Sequence, residues 1–486
     1  MTETAVHHHV PPESPSDPHK LRHVLPESPS DPYKLRPEYA VDPPTTLRGR
    51  VRFLGPGLLL SAAIVGSGEL ITTTALGAKA GFVLLWLVII STAVKVWVQL
   101  ELARWSVLSG KTALEGYAQV GPRFKGISWI NGLWIGMDFA KMLQRGGIIG
   151  GAVTACSVLL PIVGEPLSFP SLLVWTIILL VAVVSVVYVN RYSLVERVAM
   201  VAIVFTTIAT VSLAVGLPFT EFGYGLNELG SGLSFAVPAG TIGIAVAMFG
   251  LTGVGADEMT TYTYWCIEKG YARWTGPDDG TEERARRAEG WLKVLQLDVL
   301  VSWIVCTLCT LSFYIIGAAV LNPQGLVPSG TEMITTLARI WSDVLGPWAN
   351  YAFLFAAAVI LAKTFLASCA SVPRLWANTL GLLGVIDWHD PVQRRKTVRL
   401  LTLILPPLWA ASFLWVQSPV LMVQIGGIAS GIFLVAVVIA TWHLRREVDE
   451  RFRGSVLVTG MLVLSSVAIG ALGIYTVLQV FGVEIG

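Results

Sequence analysis

Two short segments of this chain place carboxylates inside stretches that are otherwise apolar. Residues 66–74 have the sequence Gly-Ser-Gly-Glu-Leu-Ile-Thr-Thr-Thr, and residues 255–263 have Gly-Ala-Asp-Glu-Met-Thr-Thr-Tyr-Thr. Both begin in one order, namely glycine, a small residue, a variable position, glutamate and a long apolar residue, and threonines follow. A carboxylate at membrane depth is costly, so Glu69, Glu258 and Asp257 are candidates for a functional site. Interrupted apolar segments at matching places in two halves indicate the substrate site of a secondary transporter.

The chemistry available at these two segments is the binding of a hard cation. Glycine permits backbone conformations that a helix disfavours, and an unwound helix frees carbonyl oxygens where it lines a cavity. Oxygen ligands suit Mg²⁺, Ca²⁺ or Mn²⁺, whereas histidine and thioether ligands favour later transition metals. The predicted ligands are Glu69, Glu258, Asp257, the carbonyls of Gly66 and Gly255, Ser67, Thr72 and the amide of Gln424.

Other polar residues inside apolar runs have two interpretations each. Asp138 and Lys141 are three residues apart and share a helical face, which favours either an internal ion pair or a proton relay. Lys363 would neutralise the predicted cation site if it faced either glutamate, and it is also a relay candidate. Gln424 either offers its amide oxygen to a substrate or marks helix packing around the glycines that follow it.

The composition places these residues in a membrane protein. The chain of 486 residues is 54% hydrophobic and 14% charged, whereas soluble proteins carry about 25% charged residues. Its net charge of +2 and its lack of a compact basic face argue against nucleic-acid binding. Apolar runs long enough to cross a bilayer recur from residue 53 onward. Eleven spans are predicted, at 53–78, 81–107, 127–160, 171–189, 193–217, 239–267, 291–321, 347–372, 397–416, 418–444 and 455–483.

Lysine and arginine are concentrated in alternate loops between the predicted spans. With the N-terminus inside, the inner loops carry nearly all of them, whereas the outer segments 161–170 and 218–238 carry none. This distribution predicts a multi-pass protein of the cell (inner) membrane with a cytoplasmic N-terminus and an outer C-terminus. Five spans in each half then give an inverted repeat, 53–217 and 239–444, with an extra helix at 455–483. The first and sixth spans, which contain the acidic segments, are predicted to be broken.

Residues 1–45 form a polar, proline-rich tail in front of the predicted membrane transporter domain, residues 46–486. Within the tail, Pro-Glu-Ser-Pro-Ser-Asp-Pro occurs at 12–18 and again at 26–32. This composition cannot form a hydrophobic core. The tail is therefore predicted to be disordered and cytoplasmic.

Further motifs accompany the acidic segments along the chain. They include Leu-Gly-Pro-Gly at 54–57, Gly-Phe-Val-Leu-Leu-Trp at 81–86, Asp-Phe-Ala at 138–140 and Asn-Arg-Tyr at 190–192. These motifs resemble the divalent-metal transporters of the natural resistance-associated macrophage protein (Nramp) family, and the resemblance covers residues 50–483. It implies an all-α polytopic protein with the LeuT-type inverted repeat of five plus five helices.

The departures from that family fall on the site itself. The family's first helix carries Asp-Pro-Gly-Asn where residues 66–69 here are Gly-Ser-Gly-Glu, and its sixth carries Met-Pro-His where residues 255–257 are Gly-Ala-Asp. Lys141 stands where the family has an acidic residue in its third helix. The resemblance therefore implies a transporter with altered metal-binding motifs, suited to hard ions and lacking the family's proton-relay residues.

The leading hypothesis is a secondary transporter or facilitator that moves a divalent cation, such as Mg²⁺ or Mn²⁺, by alternating access and without a cofactor. A transporter of a small organic solute, such as an amino acid, is the first alternative, with half-helix N-termini holding the solute's carboxylate. A sensor that kept the fold and lost transport is the second. No nucleophile–base set suggests an enzyme. The expected surroundings are the lipid bilayer, and a monomer is the working hypothesis for assembly.

Overall fold

The computed structural model describes residues 31–188, 192–238 and 240–480, and these are almost entirely helical. The long helices are α1 (Pro56–Ile64), α2 (Thr74–Ala80), α3 (Leu85–Ser109), α4 (Trp129–Leu159), α5 (Phe169–Tyr188), α6 (Tyr192–Gly216), α7 (Ile242–Leu251), α8 (Ala256–Lys269), α9 (Glu282–Ile316), α10 (Met333–Leu345), α11 (Trp348–Leu382), α12 (Pro391–Val416), α13 (Pro419–Arg445) and α14 (Val456–Val480). The π-helical segments Ser67–Thr73 and Gly317–Leu321 adjoin α2 and α9.

Short elements connect these helices. Single helical turns lie at Leu47–Val51, Ala113–Tyr117, Leu226–Ser231 and Tyr271–Thr275, and 3₁₀ turns at Pro37–Tyr39, Leu217–Phe219 and Glu450–Phe452. The strands β1 (Arg123–Phe124) and β2 (Ile127–Ser128) form a small antiparallel hairpin before α4.

The long helices match the predicted spans. Within the described residues, nine helices are long and apolar enough to cross a membrane, and the bent pair Pro56–Ile64 and Gly68–Ala80 makes a tenth. The fifth predicted span coincides with α6, many of whose side chains lie outside the description. The all-helical, multi-pass architecture is confirmed, and the number of eleven spans stays a prediction. Helices α5, α12 and α14 form an outer layer, since only 28%, 28% and 22% of their apolar windows are buried.

The first broken span bends by about 40° between α1 and the helix that follows it. Helix α1 ends at Ile64, and the backbone at Gly66 then approaches α11 so closely that a Cβ would overlap Thr364 Oγ1. The chain continues as π-helix from Ser67 to Thr73. Glycine at position 66 is therefore required by the close approach of α11.

The sixth span is interrupted between α7 and α8. Thr252 is extended, and Gly253 has φ +64°, in the left-handed region that favours glycine. Gly255 lies directly before α8 with an ordinary φ of −74°. The predicted breaks in spans 1 and 6 are confirmed, although the unusual torsion angle falls at Gly253 rather than at Gly255.

Helix α4 lies at the centre of the molecule and packs against α11, α12 and α13. Beside it, α7 crosses α13 with the two backbones in contact, because a Cβ at Gly250 would overlap the carbonyl oxygen of Gly427. Small residues at such crossings let membrane helices approach closely. This crossing fixes the end of α7 and hence the position of the second break.

The N-terminal segment from Asp31 onward is bound to the helical domain. Tyr33 donates its hydroxyl to Glu268 Oε1 at 2.9 Å and packs edge-on against Trp388 at 5.0 Å between ring centroids. Trp291 Nε1 donates to the Val41 carbonyl at 2.8 Å. The prediction of disorder is therefore wrong for residues 31–45, because aromatic and ionic side chains anchor this part. Residues 1–30 lie outside the described residues.

Candidate functional site

A small cavity of about 40 Å³ lies between the two breaks and helices α4 and α11. One ordered water needs about 10–15 Å³, so this volume accommodates an ion with a few water molecules. The polar residues in its walls are Lys141, Gln144, Arg145, Asp257, Glu258, Thr261, Thr364, Ser368 and Ser371.

Five charged side chains form a continuous ion-pair ladder between α4 and α8. Arg145 Nη2 donates to Asp138 Oδ1 at 2.5 Å and lies 3.9 Å from Asp257 Oδ2. Asp257 also pairs with Lys141, whose Nζ lies 3.6 Å from Glu258 Oε1. The ladder contains three carboxylates and two cations, so one carboxylate is formally uncompensated. Glu258 shares Lys141 with Asp257 and is only weakly paired at 3.6 Å, and it lines the cavity.

Asp138 and Lys141 do not form the ion pair that was one of their two interpretations, and the proton relay stays a prediction. Asp138 accepts hydrogen bonds from Arg145 and from Trp376 Nε1, the latter at 2.6 Å, while Lys141 reaches across to α8. The physical reason is tertiary: the acidic first turn of α8 lies against α4 and offers Lys141 a carboxylate. Helix α4 therefore supplies cationic groups to the acids of the sixth span.

Three buried polar atoms, two in the ladder and one in the neighbouring Gln144, have no hydrogen-bond partner among the described residues. Two are acceptors, Glu258 Oε2 and Gln144 Oε1, and one is a donor, Arg145 Nη1. A buried polar atom left without a partner costs about 1–3 kcal/mol. All three belong to residues in the cavity walls, so a bound ligand or water would satisfy them.

Within the described part of the chain, no group of three or more His, Cys, Asp or Glu side chains is arranged to hold one metal ion. A cation in the cavity would therefore use the carboxylates of Asp257 and Glu258 and complete its shell with amide, hydroxyl or water oxygens. Mg²⁺ is often bound in this way, through one or two carboxylates with several waters retained. The donor set fits a partly hydrated hard ion better than a fully dehydrated one.

Glu69 occupies a different environment from Glu258. It is fully buried, and its Oε1 accepts a hydrogen bond from Thr310 of α9 at 3.1 Å, while Oε2 has no partner among the described residues. Glu69 contributes nothing to the cavity walls, although its neighbour Gly68 does. Of the two glutamates, only Glu258 lines this cavity, and their sharing of one site stays a prediction.

The backbone oxygens predicted as ligands each accept one hydrogen bond from an amide of the same helix. The Gly66 carbonyl accepts from the Leu70 amide at 2.8 Å, and the Gly255 carbonyl accepts from the Met259 amide at 2.9 Å. Each glycine begins a new helical turn, and its carbonyl makes the first bond of that turn. Because a carbonyl oxygen has a second lone pair, the ligand role of these two oxygens stays a prediction. Thr72 is fully buried and its hydroxyl has no partner among the described residues. The Ser67 side chain lies outside the description.

Lys363 does not face either glutamate within ion-pair distance. Its Nζ donates to the carbonyls of Ala62 at 2.6 Å and Val65 at 2.5 Å, at the end of α1. Lys95 of α3 makes the corresponding contact at the end of α7, donating to the carbonyls of Phe249 and, at 2.6 Å, Thr252. Lys363 therefore does not neutralise the Glu258 carboxylate in the cavity wall.

The amide side chain that lines the cavity belongs to α4, whereas the predicted amide belongs to α13. Gln424 lies half-buried on α13 and is not part of the cavity walls, whereas Gln144 of α4 is. The predicted ligand set omits both Gln144 and Arg145. The signal for them is their spacing, three and four residues after Lys141, which places all three on one helical face.

Comparison with known proteins agrees with this architecture. The profile of the natural resistance-associated macrophage protein-like (Nramp) family matches residues 57–479. The divalent metal cation transporter MntH of Caldanaerobacter subterraneus is 22% identical over 359 residues, which are 74% of this chain and 77% of that protein. The metal transporter nramp1 homolog of Dictyostelium discoideum is 37% identical over 71 residues, 15% of this chain and 13% of its own length.

Solved transporter structures share the fold. A variant of the Eremococcus coleocola manganese transporter is 15% identical with a TM-score of 0.62, covering 91% of this chain and 90% of its own. Mhp1, a nucleobase-cation-symport-1 transporter, is 13% identical with a TM-score of 0.52, covering 89% and 94%. These likenesses confirm the predicted LeuT-type fold with broken helices 1 and 6. Because the family profile spans most of the chain, this protein belongs to the Nramp family.

Proposed function

We propose that this protein is a secondary transporter or facilitator that moves a hard divalent cation, such as Mg²⁺ or Mn²⁺, across the membrane by alternating access. The observation that carries the proposal is the weakly paired carboxylate of Glu258 at the end of the ion-pair ladder. It lines the cavity together with the unpartnered oxygen of Gln144. A bound cation would balance the charge and occupy both free acceptors.

The chemistry of the cavity walls supports a hard ion. They contain oxygen donors but no histidine, cysteine or methionine among the described residues. The relatives point the same way, since one is named a divalent metal cation transporter and another a manganese transporter. Mn²⁺ is therefore the first ion to test, and Mg²⁺ the second because it keeps its waters where few carboxylates are offered.

The two broken spans support alternating access. Half-helices that end at mid-membrane can tilt against the rest of the bundle while the ion stays at their junction. The basic inner loops support a cytoplasmic N-terminus in the cell membrane. Proton coupling is not part of the proposal, because Asp138 and Lys141 are held in the ladder and Lys363 is bonded to backbone carbonyls.

Uptake of Mn²⁺ and Mg²⁺ into proteoliposomes tests the proposal. Wild type is expected to take up at least one of the two ions, and Glu258→Gln to lose most of that uptake, because the cavity then loses its weakly paired carboxylate ligand. Glu165→Gln, which alters an exposed loop carboxylate, is the matched control and should transport like wild type. Unchanged uptake by a Glu258→Gln, Asp257→Asn double variant would refute the site assignment.

One observation favours a second candidate, a small zwitterionic solute such as an amino acid. Arg145, whose Nη1 donor has no partner among the described residues, lines the same cavity as Glu258 and Gln144. Each of these two residues has an acceptor oxygen that also lacks a described partner. A carboxylate paired with Arg145 and an ammonium paired with Glu258 would satisfy all three atoms. The cavity of about 40 Å³ would have to widen to admit such a solute.

Isothermal titration of the purified protein separates the two candidates. If the substrate is a divalent cation, Mn²⁺ or Mg²⁺ produces binding heat that disappears in Glu258→Gln and persists in Arg145→Gln. If the substrate is a zwitterion, an amino-acid panel produces heat that disappears in both variants, because each end of the solute loses its counter-charge.

A further inference from the structure

Two buried lysines make the same kind of contact with the two broken spans. Lys363 is 4% exposed and Lys95 is fully buried. Neither has a carboxylate within 4.0 Å among the described residues, although each lies in the low-polarity interior where a charge normally requires a partner. Their hydrogen-bond acceptors are instead main-chain carbonyls.

The geometry of the two contacts is matched. Lys363 Nζ bonds the carbonyls of Ala62 and Val65, three residues apart at the end of α1. Lys95 Nζ bonds the carbonyls of Phe249 and Thr252, also three residues apart and at the end of α7. The last carbonyls of a helix have no amide partner within the helix and carry the negative end of its dipole. A break inside a membrane therefore creates a carbonyl site for a cation.

The other end of α1 is balanced in the same manner. Asp298 of α9 accepts hydrogen bonds from the amides of Gly55 at 3.0 Å and Gly57 at 2.6 Å. A fixed carboxylate thus faces the positive end of this half-helix, and Lys363 faces its negative end. Both ends of α1 are therefore compensated by side chains.

We propose that Lys363 and Lys95 are resident cations that fill the two carbonyl sites created by the breaks. Each ammonium occupies the place that a free monovalent cation would otherwise have to take. Neither the folded breaks nor the transport cycle then requires Na⁺ or K⁺. The transport half of this inference rests on the proposed function, whereas the half that concerns the folded breaks does not.

Thermal unfolding of the purified protein tests directly whether the folded breaks require a free monovalent cation. Wild type should have the same Tm in NaCl, KCl, ammonium, methylammonium and choline chlorides at equal ionic strength. Lys363→Ala and Lys95→Ala should unfold several degrees lower in choline, which is too bulky to enter. Ammonium, methylammonium or Na⁺ should restore part of that loss in a saturable manner, because the vacated carbonyls accept a small cation.

Two controls keep the outcome decisive. Lys363→Met fills the space without charge, so its lowered Tm should not recover in any salt. Lys293→Ala removes an exposed lysine of α9 and should melt like wild type in every salt. If the alanine variants do not fold, the wild type and the methionine variant still decide. A wild-type Tm that rises specifically with Na⁺ or K⁺, or a methionine variant as stable as wild type, would overturn the proposal, as would alanine variants that fold but show no cation-specific recovery.

Uptake measurements test the part of the inference that concerns the transport cycle. Proteoliposomes with wild-type protein should take up the divalent ion at rates within about twofold of one another in Na⁺, K⁺ and choline media. Uptake that requires Na⁺ would overturn the inference while leaving the proposed function intact. Absence of uptake in every medium would count against the proposed function, and the melting experiment alone would then decide the role of the lysines.

Discussion

The two breaks have the same residue order but different surroundings. At the sixth span, Glu258 and Asp257 belong to the ion-pair ladder and line the cavity. At the first span, Glu69 is buried, accepts a hydrogen bond from Thr310 and does not line the cavity. Repetition of a motif therefore shows where the chain is interrupted, whereas the helix packed against each copy determines which acid can meet a ligand.

The neighbouring helices account for this difference. Helix α4 brings Lys141 and Arg145 to the acids of α8, and Glu258 remains only weakly paired at the cavity. Helix α9 offers Glu69 a hydroxyl but no cation within ion-pair distance. The break in the sixth span therefore presents a carboxylate to the cavity, whereas the carboxylate at the break in the first span is buried away from it.

The largest expected effect separates the two glutamates in transport. Glu258→Gln should weaken divalent-cation binding and uptake by about tenfold to a hundredfold, because one charged ligand contact is worth about 1.5–3 kcal/mol. Glu69→Gln should retain uptake within a few-fold, because its oxygens do not reach the cavity. Concentration dependence of uptake in proteoliposomes measures both. Equal losses in the two variants would show that the breaks act as one symmetric site.

The sequence predicted the breaks but not this asymmetry, and the reason is physical. The paired order of glycine and glutamate in 66–69 and 255–258 is a local property, and local interruption of an apolar run is enough to locate a broken helix. The partners of those glutamates come from α4 and α9, far away in the chain. Their approach depends on tertiary packing, so no spacing within the motif indicates that Lys141 turns to Asp257 rather than to Asp138.

The ion pairs of the ladder should contribute strongly to the free energy of unfolding, because they join α4 to the sixth span. Lys141→Met leaves Asp257 with only a long contact to Arg145, and breaking a buried ion pair in this way costs about 3–5 kcal/mol. Thermal unfolding in detergent should show a clear fall in Tm. Adding Asp257→Asn should recover part of it, since the uncompensated charge is then removed. A double variant that is no more stable than Lys141→Met would show that the pair contributes little.

Glycine substitutions should have opposite signatures at the two breaks. A Cβ at Gly66 would overlap Thr364 Oγ1, so Gly66→Ala should lower stability by about 1–3 kcal/mol through overpacking. A Cβ at Gly255 would overlap the movable Glu258 carboxylate and lie 3.0 Å from the Gly250 carbonyl oxygen, so Gly255→Ala should displace Glu258 and impair transport more than stability. Gly68→Ala, with its nearest neighbour atoms 3.6 Å away, is the control in a melting assay. Equal melting temperatures for the first two variants would contradict the distinction.

The smallest expected effect concerns the N-terminal segment, which is attached beside the sixth span. Burial and the Glu268 carboxylate raise the pKa of Tyr33 well above its ordinary value, so its phenol keeps the proton that it donates to Glu268. Tyr33→Phe removes this one hydrogen bond and should cost about 1 kcal/mol. Tyr351→Phe, at an exposed tyrosine of α11, should cost nothing measurable. Hydrogen exchange should show faster exchange at the end of α8 in Tyr33→Phe and no change at α1. Faster exchange at both would mean that the segment supports the two breaks alike.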